Sequence, residues 1–194
     1  MSFHLFKKPE IDWDAAYSAG TYDGHQDDFQ WGRYALIGNL IGRSSARTVL
    51  DIGCGYGTLR DFIPESIAYT GLDISCVALA KASENHRRGD RFIDCDIEQW
   101  EPDGTYDAVV CSEVLYYLKD LPGGLSRMSS CLNPQGLMIA SFYNHRSSNA
   151  NQRAFEETLR FFNSSRFHLM HQLSVSTERP KQNTWSIAVW RVAN

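Results

Sequence analysis

The chain of 194 residues has little that would place it in a membrane or hold it together covalently. No apolar run approaches the roughly 18 residues of a bilayer-spanning helix. Met1 to Glu10 carries Lys7 and Lys8 but neither an apolar stretch nor a small-residue cleavage site, so no signal peptide is read there and a cytoplasmic address is expected. The five cysteines, at 54, 76, 95, 111 and 131, are odd in number and form no CxxC, which argues against a disulfide framework or a zinc site and for reduced thiols. A net charge of -4, from 19 basic and 23 acidic side chains, supplies no field to gather polyanions and disfavours nucleic acid as a partner. The basic stretch Arg87 to Arg91 is interrupted by Asp90 and reads as a solvated turn. His168 and His171, three apart on an expected strand, should face opposite ways, and no metal is expected. Repeats and low-complexity tracts are absent. With 43% hydrophobic and 22% charged residues, the composition is that of one globular domain over 1–194.

What is present is a regular alternation of short apolar runs and helical segments, the pattern of a parallel sheet with crossover helices. Strands are expected at 48–52, 67–72, 91–93, 108–111 and 137–142, with helices starting at Gly57, over 75–85 and over 123–132. Pro134 and Gly136 should break the chain before the fifth strand. Residues 11–19 and 27–42 read as helices rich in aromatics (Trp13, Tyr17, Phe29, Trp31, Tyr34) about a turn at 21–24. They are expected to form a helical lid, residues 1–45, on a core of 46–194. The segments 167–176 and 185–192 alternate in strand fashion, so the sheet should end in an antiparallel hairpin.

The densest signal is Val49-Leu50-Asp51-Ile52-Gly53-Cys54-Gly55-Tyr56-Gly57, a strand running into a glycine-rich turn. Glycines there allow positive φ and let a ligand approach main-chain N–H donors. The third glycine falls one residue early for the dinucleotide fingerprint, which disfavours a dehydrogenase. Asp73 ends the second strand twenty-two residues after Asp51, where a carboxylate can accept ribose hydroxyls. Further acidic residues follow at Asp94, Asp96 and Glu113; strand alternation turns Asp94 and Asp96 the same way. Ligands of such sheets bind outside the carboxyl ends of the strands.

With these residues in place, the chain resembles the class I S-adenosylmethionine-dependent methyltransferases over about residues 48–142. D-I-G-C-G-Y-G (51–57) is similar to their glycine motif, G-L-D-I-S (71–75) to the ribose motif and C-D-I (95–97) to the adenine motif. Y-D-A-V-V-C-S-E-V-L-Y-Y-L (106–118) is similar to the fourth strand and its turn, and L-N-P-Q-G (132–136) to the turn before the fifth strand. The resemblance implies a Rossmann-like α/β fold with a seven-stranded, mostly parallel sheet of order 3-2-1-4-5-7-6, strand seven antiparallel. It implies S-adenosyl-L-methionine as cofactor and S-adenosyl-L-homocysteine as product. Asp51 and the backbone of Gly53 and Gly55 would hold the methionine end, Asp73 with Ile74 the ribose, and Asp96 with Ile97 the adenine, which favours Asp96 over Asp94. Main-chain groups at Cys111 or Ser112 would meet the cofactor's amino group, and Arg33 its carboxylate, with Tyr17 completing the set.

The small-molecule branch, notably the nodulation protein S group, looks most similar, so the expected acceptor is a nitrogen or oxygen of a small polar molecule. Glu113 lies where the acceptor should approach, though an acidic residue in the first turn of a helix is also stabilising. His145 follows the fifth strand and could face the site or make a loop hydrogen bond. Tyr116 and Tyr117 could line the acceptor pocket, or one of them could fill the core. A non-catalytic nucleoside-binding module and an RNA methyltransferase are the alternatives. Asp73→Ala is expected to weaken cofactor binding while leaving thermal stability without ligand nearly intact.

Overall fold

A computed structural model describes residues 11–26, 28–84, 87–144, 149–163, 166–177 and 183–193. Two helices precede the sheet, α1 (Trp13–Ser18) and α2 (Asp28–Gly42). There follow β1 (Thr48–Ile52), β2 (Ala68–Asp73), α3 (Cys76–Glu84), β3 (Arg91–Asp94), β4 (Tyr106–Ser112), α4 (Leu121–Ser130) and β5 (Leu132–Tyr143). The chain closes with α5 (Asn149–Phe162), β6 (Phe167–Thr177) and β7 (Asn183–Val192). The sheet has seven strands in the order β3-β2-β1-β4-β5-β7-β6, with β7 antiparallel to both β5 and β6. This is the class I methyltransferase order that the motifs imply.

Burial on both faces explains why the central strands read as continuous apolar runs rather than alternating ones. Val49, Ala108, Val110, Ile139 and Val189 pack beneath Tyr34, Ile37 and Ile41 of α2 on one face. Leu50, Val109, Met138 and Trp190 pack against Leu125 and Met128 of α4 and Phe162 of α5 on the other. Both helices on that second face are sited locally. Asp120 accepts the Gly123 N–H at 3.0 Å and starts α4 two residues before the expected position. Helix α5 buries Ala154, Thr158 and Phe162 at every fourth position and has no counterpart in the expected order of elements.

Three local expectations change. Pro134 and Gly136 do not end the chain segment before β5. The strand already starts at Leu132, pairs with Tyr106, and resumes register at Leu137 with Ala108. Gln135 absorbs the irregularity at φ 63°, and its amide donates to the Val192 carbonyl at 3.1 Å. In β6 the register slips between Leu169 and His171, so His168 faces Arg191 and His171 faces Val189. One extra residue thus brings the two exposed histidines to the same side of the sheet, not opposite sides. The basic turn is anchored rather than merely solvated: Asp90 forms a buried ion pair with Arg60 at 2.9 Å, and Arg87 donates to the Ile63 carbonyl.

Candidate cofactor and acceptor cavity

The carboxyl ends of β1 to β5 and the start of β7 open into one cavity of about 1270 Å³, roofed by the N-terminal helices. That exceeds the roughly 300–1,000 Å³ of a pocket for one drug-sized ligand. Its floor is the turn after β1. Gly53 and Gly55 hold φ of 68° and 54°, values that L side chains rarely adopt. A Cβ at Gly53 would collide with Val114, and one at Gly55 would come within 2.8 Å of the Tyr17 hydroxyl. Tyr17 therefore lies directly over the turn, and burial raises its phenol pKa.

The turn is tied to β2. Gly53 and Cys54 both donate to the Leu72 carbonyl, at 2.7 and 2.9 Å. The Asp73 carboxylate accepts the Gly55 N–H at 2.7 Å on one oxygen and the Ser75 N–H at 2.9 Å on the other. Burial raises its pKa, against the opposing pull of those main-chain donors. Asp73 lines the cavity, and a carboxylate holding these main-chain donors still has capacity to accept more. Ile74 beside it also lines the cavity and is exposed.

Asp51, the penultimate residue of β1, sets its carboxylate on the α2 side of the sheet, 3% exposed. It accepts the Tyr69 hydroxyl at 2.7 Å, and burial pushes its pKa up to about 7 despite that bond. Arg33 of α2, 1% exposed, shares the same end of the cavity. Its guanidinium donates to the Gln30 side chain at 2.9 Å and to the Ser112 hydroxyl, and lies 4.2 Å over the Tyr34 ring. Among the described residues no carboxylate forms an ion pair with it. A buried cation without a counter-ion is costly, so this corner suits an anionic group. A buried carboxylate and a buried guanidinium at one end of a cavity complement the ammonium and carboxylate of an amino acid.

Past β3, Asp96 lines the cavity with Ile97, whereas Asp94 is exposed outside it. The strand ends at Asp94, so its alternation does not carry on to Asp96. The Asp96 side chain accepts the Glu98 N–H at 2.9 Å. Of the two candidates at the end of β4, Ser112 lines the cavity; Cys111 does not, because it is fully buried in the core beneath it.

Glu113 reaches the cavity in a way that its sequence position conceals. It holds φ 66°, outside any helix, so the first-turn reading does not apply. Its carboxylate accepts the Ser141 hydroxyl at 2.7 Å, the Tyr143 N–H at 2.8 Å and the Tyr116 hydroxyl at 2.9 Å. Ser141 in turn lies 2.9 Å from Ser112, so Arg33, Ser112, Ser141 and Glu113 form one hydroxyl-bridged chain. Tyr116 and Tyr117 both line the cavity, their rings 4.6 Å apart. Burial raises the pKa of both phenols, that of Tyr117 to about 12. His145 lies outside the described residues.

The roof is latched from α1. Asp14 accepts the Ser75 hydroxyl at 2.6 Å and the Val77 N–H at 3.2 Å, capping α3 from another helix. Those bonds, Ser75 foremost, lower its pKa. Sequence reasoning missed this latch, and it missed Gln30, Ser141, Tyr143, Asn183 and Trp185 as members of the site. Among the described residues no group of three or more His, Cys, Asp or Glu is placed to hold a metal, and no helix is long and apolar enough to cross a membrane.

A family model described as "Methyltransferase domain" matches residues 29–178. Nodulation protein S of Azorhizobium caulinodans is 30% identical over 111 residues, covering 55% of this chain and 54% of that protein. A ubiquinone biosynthesis O-methyltransferase of Bradyrhizobium sp. strain ORS 278 is 34% identical over 104 residues, 52% of this chain and 41% of that enzyme. The chain spans about half or less of the length of these curated relatives. In structure it is similar to the N-methyltransferase NodS of Bradyrhizobium japonicum WM9 in complex with S-adenosyl-L-homocysteine. The TM-score is 0.76 at 17% identity, over 93% of this chain and 100% of that one. The 1,6-didemethyltoxoflavin-N1-methyltransferase of Burkholderia thailandensis superposes with a TM-score of 0.74 at 17% identity, over 94% and 86%.

Proposed function

Because the chain belongs to the methyltransferase domain family, we propose that it is an S-adenosylmethionine-dependent methyltransferase acting on a nitrogen or oxygen of a small polar acceptor. The observation that carries this reading is the cavity floor, where Asp51 and Arg33 sit buried without an ion-pair partner beside a glycine turn clamped to Asp73. A Cβ at either glycine would meet Val114 or Tyr17, so only glycine lets the turn pass beneath them, and the charged side chains match an amino acid joined to a ribose. The fit extends to Asp96 and Ile97, which flank the space an adenine would take. Solved relatives named as N-methyltransferases hold S-adenosylhomocysteine, which supports the same cofactor here.

When bound, the sulfonium supplies an already activated methyl group. The chain's own part is then to bind and orient. Asp51 takes an ammonium, Arg33 a carboxylate and Asp73 a pair of ribose hydroxyls. Tyr17 and the N-terminal helices act as a lid that excludes water. Glu113, spent on three donors, positions Tyr116, Ser141 and the main chain at Tyr143 and leaves alignment as the main source of rate. The reading includes a small-molecule partner and a cytoplasmic address, which five free cysteines among the described residues support. Incubation with S-adenosylmethionine and a panel of small amines and hydroxyl compounds, read as S-adenosylhomocysteine release, tests it. Absence of S-adenosylhomocysteine binding by calorimetry would refute it.

A further inference from the structure

The aromatic lining of the cavity is one-sided in its chemistry. Seven tyrosines and two tryptophans line it, and among the described residues no phenylalanine does, although the chain has ten. Tyrosine and tryptophan present a ring face together with a polar handle, which a merely greasy wall would not require. Six of these rings come from elements brought from three places. Trp13 and Tyr22 come from the N-terminal segment, Tyr116 and Tyr117 from the turn after β4, and Tyr143 and Trp185 from β5 and β7. They form groups: Trp13 meets Tyr117 edge-on at 4.9 Å and Tyr22 at 5.8 Å, and Tyr143 meets Trp185 at 5.7 Å.

Several polar side chains of the lining already hold partners inside the protein. Glu113 accepts three donors, Asn183 accepts the Tyr143 hydroxyl at 2.7 Å, and Glu98 accepts the Lys119 and Asp120 N–H groups at 2.8 and 2.7 Å. A saccharide, with a hydroxyl on nearly every carbon, needs about as many directional partners as it has hydroxyls, because buried polar groups left unbonded are costly. A flat ring needs stacking faces and a few polar contacts.

We propose that the acceptor is a planar aromatic or heteroaromatic molecule, stacked on the rings of the lid and of the turn after β4 and methylated at a nitrogen on its ring system. This rests on the methyltransferase reading and narrows it. A ring or aryl nitrogen is neutral near pH 7 and attacks without prior deprotonation. Its lone pair forms the N–C bond as the S–C bond breaks and the bonding electrons pass to sulfur; an aryl amine then releases a proton to water at the cavity mouth, whereas a ring nitrogen without hydrogen keeps the positive charge as its N-methyl cation. No carboxylate need be freed, which agrees with a Glu113 that is already bonded on both oxygens.

The test is binding to protein saturated with S-adenosylhomocysteine, using 2-aminopurine, lumazine and 5-aminoquinoline as planar probes, and glucosamine, diacetylchitobiose and putrescine as counterparts. Turnover of the same compounds with S-adenosylmethionine is then read by mass. At least one planar probe should bind with a Kd below about 1 mM and be methylated on nitrogen, ahead of every counterpart. Tyr117→Leu should weaken that probe about two- to tenfold, with Tyr117→Phe restoring it and S-adenosylhomocysteine affinity moving less than about twofold in both. Preference for the sugars or putrescine, or no planar probe bound while S-adenosylhomocysteine binds, would overturn the inference and leave the methyltransferase reading standing. Failure of S-adenosylhomocysteine itself to bind would remove both.

Discussion

Lowering the pH from 7.5 to 6 should weaken S-adenosylhomocysteine binding about eightfold, and Asp51→Asn should abolish that dependence. The reasoning starts from a carboxylate whose burial lifts its pKa from 3.8 to about 7. In the proposed complex the ligand's ammonium pairs with the ionised form, so affinity scales with the ionised fraction. With a pKa of about 7 that fraction is about 0.09 at pH 6 and about 0.76 at pH 7.5. The ligand's own α-amino group stays largely protonated over this range. Proton release is the second signature: calorimetry at pH 6 in two buffers of different ionisation enthalpy should show nearly one proton leaving per ligand bound. Asp51→Asn keeps an oxygen for the Tyr69 hydroxyl and loses the charge, so its affinity should be flat with pH and lower at pH 7.5 by roughly tenfold or more. Without ligand the sign reverses. The folded protein keeps the Asp51 proton up to about pH 7 while the unfolded chain gives it up near 3.8, so this group's contribution to stability falls as pH rises between those values and is level above. Asp51→Asn should therefore melt higher than the parent at pH 7.5. Equal affinity at pH 6 and 7.5, with no proton released, would refute the placement of the ammonium at Asp51.

Three further outcomes follow from the site. Asp73→Ala should weaken S-adenosylhomocysteine binding at least about tenfold and also lower the melting temperature without ligand by roughly 2–10 °C, because the Gly55 and Ser75 N–H groups lose their acceptor. The expectation of intact stability drawn from sequence is thus replaced, and a melting temperature within 1 °C of the parent, to within about that error, would contradict the clamp. Glu113→Gln should lower kcat about tenfold with an unchanged pH profile, since an amide cannot accept from all three donors; a loss above a hundredfold with one limb of the profile missing would instead make Glu113 the proton acceptor. Asp14→Ala should speed amide exchange in α1 and the first turn of α3, with added S-adenosylhomocysteine slowing it in the parent across residues 13 to 34; unchanged exchange in the variant would mean that the latch contributes nothing.

Much of this was legible in the chain. Asp51 and Asp73 follow apolar runs that can only be buried parallel strands, and glycines between them announce a close approach of backbone to ligand. The strand order came from the motifs and the terminal hairpin together. What stayed hidden depends on through-space arrangement. Glu113 adopts a left-handed backbone with no glycine to mark it, so its three donors could not be foreseen. Ser141 and Tyr143 reach the site because β5 pairs beside β4, and Trp185 because β7 inserts beside β5, 42 residues away in the Tyr143–Trp185 pairing. Asp94 and Asp96 could not be separated by alternation because the strand stops between them, and which of Cys111 and Ser112 lines the cavity depends on one residue of pleat. Helix α5 escaped because its apolar stripe is narrow and sits in a polar stretch.

Ser75 is bonded in three directions: its N–H to Asp73, its hydroxyl to Asp14, and its oxygen to the Ala78 N–H. The carboxylate at the end of β2 and the helix that roofs the cavity therefore share one fastener. Such sharing limits modularity. An N-terminal segment borrowed from another protein, in a chimera meant only to change what the cavity admits, would bring its own residue to position 14 and so reset the geometry at Asp73. Recombination at the boundary between helices and sheet would alter two properties at once, and an acidic residue at that single position is what a compatible donor segment has to carry.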